Sequence, residues 1–295
     1  MRSIRLIPPV SFLILLLLLA AAAGAVPLTP GVPPVAMETA DGGRNVTLTD
    51  DLGETVVIEG TPQRIVSLAP SNTEILYAIG LEDRVVAVTD YCDYPPETVD
   101  KPTVGGFSTV NIEKVIAMNP DLILAAPANT EEIIDRLRSL GLTVVTLDPQ
   151  AIEDVLHEIE LLGRVTGNEA EASALVGELR ARIDAVAAGT GNLTERPSVA
   201  HVIWYDPLWV SGRDTFQDEV ITLAGGINAF GSLEGWSIVS LEEFITTDPD
   251  YILVSSGSGM GQEGYDAVYN YIVNEPRLQN LDAVREGRVY VIDAD

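Results

Sequence analysis

Residues 111–124 read Asn-Ile-Glu-Lys-Val-Ile-Ala-Met-Asn-Pro-Asp-Leu-Ile-Leu, and residues 240–253 read Ser-Leu-Glu-Glu-Phe-Ile-Thr-Thr-Asp-Pro-Asp-Tyr-Ile-Leu. Each copy opens with a residue able to cap a helix, and a glutamate (Glu113, Glu242) follows two positions later. Proline (Pro120, Pro249) then stops the helix, and Asp-x-Ile-Leu begins a strand. The same offset pairs Phe107 with Trp236. An internal repeat of this kind predicts two lobes built alike, each presenting an aromatic ring and a first-turn carboxylate, as a symmetric clamp around a ligand requires. A capped helix followed by Pro-Asp and a strand is also a common α/β corner, so the repeat constrains the fold more tightly than the function.

Around the repeat, apolar runs of strand length alternate with helical patterns: residues 64–68, a helix opening at Ser71, residues 85–88, a helix from Asn111, then residues 122–124. This alternation predicts an α/β fold whose parallel central sheets carry helices on their faces. Ser71, Asn129 and Ser240 each stand three residues before a carboxylate and are read as helix caps. Residues 152–188 are helical almost throughout, with a break at Thr166-Gly167-Asn168. Beyond the break Ala172, Leu175, Val176, Leu179, Ile183 and Val186 recur at steps of three and four. They form one buried stripe on a helix of about 20 residues, or ~30 Å, long enough to join two lobes rigidly. The predicted organisation is therefore a signal peptide at 1–25, a tether and N-terminal extension at 26–62, and an N-terminal α/β lobe at 63–150. Linking helices follow at 151–190, including the long backbone helix, and a C-terminal α/β lobe at 191–295.

The first residues carry Arg2 and Arg5 and lead into an apolar run from Phe12 to Ala23 that ends in small residues. That is the pattern of an export signal, cleaved or retained as an anchor. Residues 26–40 are rich in Pro, Gly, Thr and Ala without periodicity, as in a tether. The mature protein is expected in the periplasm or at the extracellular face of the cytoplasmic membrane. The formal charge of -27, from Asp+Glu 44 against Lys+Arg 17, argues against nucleic acid and anionic membrane as partners. The single cysteine, Cys92, excludes an internal disulfide and a cysteine-based zinc site. Two sequons, at Asn45 and Asn192, are expected in solvent-facing loops.

Catalytic chemistry finds little support. The two histidines are His157, within a helical pattern, and His201, within a strand pattern. No nucleophile elbow, zincin motif or phosphate loop is present, and the glycine-rich segment at 256–261 precedes Glu263 and Asp266, which would repel an anion. No catalytic residue, metal ligand or cofactor is predicted. Glu113 and Glu242 sit where the helix dipole alone favours a negative charge. Phe107 and Trp236 lie in loops flanked by glycine and serine, open either to a large planar ligand or to core packing.

Five segments together resemble the iron-siderophore, haem and cobalamin substrate-binding proteins of ABC importers. They are residues 64–74 (Arg-Ile-Val-Ser-Leu-Ala-Pro-Ser-Asn-Thr-Glu), Tyr91-Cys92-Asp93-Tyr94-Pro95-Pro96, Asn111-Ile112-Glu113 with Asn119-Pro120-Asp121, Ser211-Gly212-Arg213-Asp214, and Ala224-Gly225-Gly226-Ile227-Asn228. The resemblance runs from about Arg64 onward. It implies two α/β lobes joined by a single long helix, a permease as partner, a small molecule as ligand, and no enzymatic step. The spacing is most similar to the cobalamin-binding members, which implies corrinoid contacts at Tyr91, Phe107 and Trp236. It also implies permease docking through Glu113 and Glu242. Phe107 stands where those members have tryptophan. The sequence given ends at Asp295, where family members continue into cleft-lining residues and a terminal helix; Asp295 falls near a ligand-contacting position.

Ferric siderophore and haem remain competing ligands, since the shared motifs do not choose among them, and Arg213 is placed either to meet an anionic chelate or to serve the fold. Free zinc or manganese is disfavoured by the scarcity of histidine. An extracellular enzyme using the 256–261 loop and an adhesin are the alternatives of a different kind.

Overall fold

The computed structural model describes residues 45–191, 193–256 and 267–293. The chain divides into two compact units. The first holds the described residues up to Pro149 together with Glu153–Glu178, and the second holds Gln150–Ile152 and the described part of Leu179–Asp295.

The first lobe is built on a parallel sheet of four short strands in the order β4-β3-β5-β6, with β3 Ile65–Ser67, β4 Val85–Ala87, β5 Leu122–Ala125 and β6 Val144–Thr146. Strands β3, β5 and β6 are buried along their whole length, which is why they read as unbroken apolar runs and not as alternating patterns. Helices α1 Pro70–Ala78, α2 Ile112–Ala117 and α3 Glu131–Ser139 alternate with them. Val66, Ile123 and Ala125 from the sheet meet Val115, Ile134 and Leu137 from the helices in one core.

An antiparallel hairpin, β1 Val46–Thr49 and β2 Thr55–Ile58, precedes β3 within the segment assigned from sequence to the N-terminal extension. Asp50 at its turn is fully buried; its carboxylate takes an ion pair from Arg138 and a hydrogen bond from the backbone N–H of Thr146 at the end of β6. The sequon at Asn45 leads into β1 and not into a free loop, and its side-chain oxygen accepts from Gly60 N–H. The Asn192 sequon, the 1–25 signal and the 26–40 tether lie outside the described residues.

Two of the three predicted caps move. Proline at the first position of α1 leaves Ala69 as the N-cap, with Ser71 inside the helix. Thr130, not Asn129, caps α3, because Asn129 is engaged elsewhere: its amide donates to the carbonyls of Leu68 and Phe107. Ser240 does cap its helix, accepting from Glu243 N–H at 3.0 Å.

Helices α4 Ile152–Thr166 and α5 Glu169–Thr190 break at Gly167 as expected, and α5 runs 22 residues, crossing from the first unit to the second. Of its predicted stripe, Ala172, Val176, Leu179, Ile183 and Val186 are buried.

The second lobe carries a six-stranded sheet in the order β10-β8-β7-β11-β12, with β9 also pairing β7. Its strands are β7 Ser198–Tyr205, β8 Leu208–Ser211, β9 Ile227–Asn228, β10 Trp236–Ile238, β11 Tyr251–Ser256 and β12 Val289–Asp293. Strands β7, β9, β11 and β12 are parallel, but β8 is reversed and joins β7 on one side and β10 on the other through antiparallel ladders, so this sheet is mixed and not wholly parallel as the alternation predicts. Helices α6 Phe216–Leu223, α7 Leu241–Thr247, α8 Ala267–Asn274 and α9 Asp282–Arg285 complete the lobe. Its core joins Ala200, Val202, Ile252 and Val254 of the sheet to Phe244 and Ile272.

The repeat is physical. Asn111 and Ser240 cap α2 and α7, and Val115 and Phe244 anchor the two helices with fully buried side chains. Asn119 (φ 49°) and Asp248 (φ 43°) take the left-handed conformation before the prolines, a position asparagine and aspartate tolerate best after glycine. Asp121 then accepts the N–H groups of Gln63 and Arg64, and Asp250 that of Ser198, so each carboxylate clips the entry to the neighbouring parallel strand.

Candidate functional site

In the first lobe the structure brings two predicted ligand contacts together. The rings of Tyr91 and Phe107 stack with centroids 4.5 Å apart and planes at 11°, and both stay half-buried, apart from the core cluster of this lobe. Three local devices hold them. Cys92, buried next to Tyr91, sets its sulfur 3.2 Å from the hydroxyls of Thr73 and Thr89, while Thr98 donates to its carbonyl. Asn129 pins the Phe107 loop through the Phe107 carbonyl. Gly106 lies so close that an added Cβ would stand 3.0 Å from Tyr91 Cε2 and 2.9 Å from Thr109 Oγ1, so a side chain there would crowd the Tyr91 ring. Burial raises the Cys92 thiol pKa above its ordinary value despite those hydroxyls, which keeps it a neutral packing group.

In the second lobe Trp236 opens the edge strand β10 and is 43% exposed. Strand alternation puts Ile238 on the same face, 55% exposed, and Ile238 pairs with Trp209 of β8. Large apolar side chains at an exposed sheet edge are what a protein without a ligand there would avoid. Ile238 and Trp209 escaped the sequence reading because their relation to Trp236 depends on a strand register that only the paired sheet supplies.

Glu113 and Glu242 are both exposed in the first turns of α2 and α7, each on its own lobe. Arg213 is 46% exposed but already answered: it reaches Glu234 at 2.8 Å and Asp214 at 3.3 Å and donates to the Ser232 carbonyl. Asp295 lies outside the described residues, as does the 256–261 loop beyond Ser256.

His201 Nε2 lies 2.8 Å from Ser255 Oγ, the separation of a base and its nucleophile. The resemblance ends at the distance. Both residues are buried, Nδ1 has no partner to orient the ring, and burial lowers the imidazole pKa to about 4. A base–nucleophile pair of that type needs an orienting group and an approach for substrate. Among the described residues no cluster of three or more His, Cys, Asp or Glu side chains is arranged to hold a metal ion.

Comparison with known proteins agrees with this architecture. The periplasmic binding protein family matches residues 65–295, and the chain belongs to that family. An ABC transporter substrate-binding lipoprotein of Bacillus subtilis is 34% identical over 257 residues, covering 85% of this chain and 79% of its own. The crystal structure of the periplasmic vitamin B12-binding protein of Vibrio cholerae superposes with a TM-score of 0.65 at 29% identity, over 78% of this chain and 87% of that one. The periplasmic haem-binding protein of Roseiflexus sp. RS-1 superposes with a TM-score of 0.70 at 28% identity, over 79% and 90%.

Proposed function

We propose that this periplasmic binding protein is the exported substrate-binding component of an ABC importer, that its ligand is a corrinoid, and that it delivers the ligand to a permease without covalent chemistry. Tyr91 and Phe107 supply the ligand contact of the first lobe and Trp236 that of the second. Glu113 and Glu242 dock each lobe onto basic pockets of the permease, where complementary charge sets orientation and association rate.

The observation that carries the reading is the set of aromatic rings held out of both cores by dedicated local structure: the stacked pair fixed by Cys92, Gly106 and Asn129, and Trp236 at an exposed edge. Such rings suit a large, flat, mostly apolar ligand oriented by a few polar groups. Charge favours a corrinoid over the anionic alternatives. With a formal charge of -27 the protein repels haem propionates and anionic ferric chelates at a distance, whereas cyanocobalamin carries no net charge. Arg213, the cation placed to offset that repulsion, is already bound to Glu234 and Asp214.

Haem is the second reading, favoured by the likeness to the Roseiflexus protein at the same level of identity as to the vitamin B12-binding one. Titration of the protein with cyanocobalamin, haemin and a ferric hydroxamate, read by tryptophan emission, separates them. The chain's tryptophans, Trp204, Trp209 and Trp236, all lie in the second lobe, so quenching reports on that lobe's contact. Saturable quenching by cyanocobalamin, lost in Trp236→Ala, is expected. Quenching by haemin alone moves the protein to haem uptake with its fold and delivery mechanism unchanged.

A further inference from the structure

We propose that His201 is a positioning residue for ligand binding, its ring, tied to Ser255, setting the orientation of Trp236 through an edge contact; the inference rests on the reading of Trp236 as a ligand contact.

The placement follows from strand register. On β7 the neighbours Ala200 and Val202 point into the lobe core, so His201 faces the other side of the sheet. Val202 pairs with Val210 in the antiparallel β7–β8 ladder, and one step along that register sets Ser211 across from His201. Ser211 in turn pairs with Trp236. The three residues form a row across β10, β8 and β7 on one face of the sheet. Strands two places apart are separated by about 9.6 Å, too far for side chains that stand upright to meet. Yet the imidazole and indole centroids are 6.1 Å apart, with planes at 60°. They lean toward each other over Ser211, whose side chain is small enough to let them.

The histidine is an odd choice for that place unless the ring does something. It is 1% exposed, and its Nδ1 has no hydrogen-bond partner; Ser211 Oγ, on the neighbouring strand, is equally buried and equally unpaired. A leucine at position 201 would fill the space without the unpaired Nδ1, though it would leave the buried Ser255 hydroxyl without its imidazole partner. What leucine lacks is a flat ring with a fixed plane to meet the indole in a tilted, edge-type contact. The Ser255 hydrogen bond at 2.8 Å removes the remaining rotation of the imidazole. A half-exposed tryptophan at a sheet edge otherwise samples several rotamers, and each ligand-bound state would have to fix one of them. Burial keeps the imidazole neutral, with a pKa near 4, so the contact is one of ring geometry and not of charge.

The test uses His201→Leu, His201→Gln and Ser255→Ala in the full chain, each titrated with cyanocobalamin and haemin, with Trp236→Ala beside them. Near-ultraviolet circular dichroism gives the Trp236 signal as the difference from Trp236→Phe. The expected result for His201→Leu is a protein that still unfolds cooperatively, a weakened Trp236 dichroism, and an affinity lower by roughly threefold to tenfold for the probe the wild type binds. Ser255→Ala, which leaves every ring in place, changes in the same direction by less, and His201→Gln, which can still reach Ser255, does not restore the dichroism. Should His201→Leu fail to fold, Ser255→Ala carries the test. The proposal is overturned if these variants keep wild-type affinity and Trp236 dichroism while Trp236→Ala loses binding. If Trp236→Ala itself binds normally, the ligand contact assigned to Trp236 falls, and the role of His201 in binding falls with it.

Discussion

Replacing Asp50 by alanine removes the acceptor that ties the N-terminal hairpin to the first lobe. The carboxylate is fully buried and takes four hydrogen bonds: from Arg138 Nη2 at 2.5 Å, from Thr146 N–H at 3.1 Å, and from Leu52 and Glu54 N–H within its own turn. Breaking a buried ion pair from one side costs about 3–5 kcal/mol. Here the low end applies. Arg138 is 22% exposed and can turn to water, and the Leu52 and Glu54 amides lie in an exposed turn that rehydrates. Thr146 N–H is buried and keeps its full loss, about 1–3 kcal/mol. A total of about 3 kcal/mol corresponds to roughly a hundredfold faster amide exchange wherever the hairpin's docking limits opening. Hydrogen exchange read by mass spectrometry should therefore show that acceleration in peptides covering β1, β2 and β6, and little change in β7 or β11. Asp50→Asn, which keeps an oxygen for Thr146 N–H, should lose less. Acceleration of under threefold in Asp50→Ala would show that hydrophobic contacts of Val46, Leu48 and Ile58 hold the hairpin without the carboxylate.

Gly106→Ala should crowd the Tyr91 ring of the Tyr91–Phe107 stack, lowering ligand affinity by fluorescence titration while costing about 1–3 kcal/mol of stability, the range for overpacking. Glu113→Lys with Glu242→Lys should abolish uptake in a transport assay and leave ligand affinity as it was; persisting uptake would remove both glutamates from the docking role. Glu158, buried on α4 beside Asp51, has its pKa raised to about 9, by burial first and then by the neighbouring carboxylates. Because the folded pKa exceeds the ordinary 4.5, its contribution is fully present below about pH 4.5 and is lost as pH rises toward 9. Denaturant midpoints at pH 5, 7 and 9 should fall in that order for the wild type and fall less steeply for Glu158→Gln.

Much of the fold was legible because its signals are local. A cap, a stopping proline and a strand-leading aspartate lie within fourteen consecutive positions, so the two copies of the repeat could be aligned without knowing what they pack against. The helical pair α4 and α5 was visible for the same reason. Where the reading slipped, a distant partner decided. Asn129 and Thr130 are both good caps, and only the need of Leu68 and Phe107 carbonyls for a donor sends Asn129 inward and leaves the cap to Thr130. The hairpin depends on Arg138 and Thr146, far along the chain from Asp50, and four-residue strands carry too little pattern to announce themselves. The antiparallel edge of the second sheet was hidden because apolar alternation reports burial and not strand direction.

The repeat and the departures from it divide the work of the molecule. What is repeated, capped helix, exposed glutamate and clipped strand, gives each lobe an equivalent first-turn carboxylate, and on the proposed docking role a permease whose own halves resemble each other would meet two equivalent contacts. What is not repeated surrounds the rings. Phe107 sits in a glycine-bounded loop and finds its partner, Tyr91, on another loop of the same lobe. Trp236, at the matching position, is drawn into an added antiparallel strand, where its neighbours become Ser211, Ile238 and His201. On the proposed ligand contacts, that asymmetry suits a ligand with two chemically different faces, whereas a symmetric one would be served by two copies of the same loop. If the two lobes do divide the ligand's faces in this way, exchanging Phe107 for tryptophan should alter affinity only through the first lobe's stack. The effects of Phe107→Trp and His201→Leu on binding free energy should then add, as they do for sites with no shared partner. A coupling between them larger than about 0.5 kcal/mol would show that the two sets of rings respond to one another through the ligand.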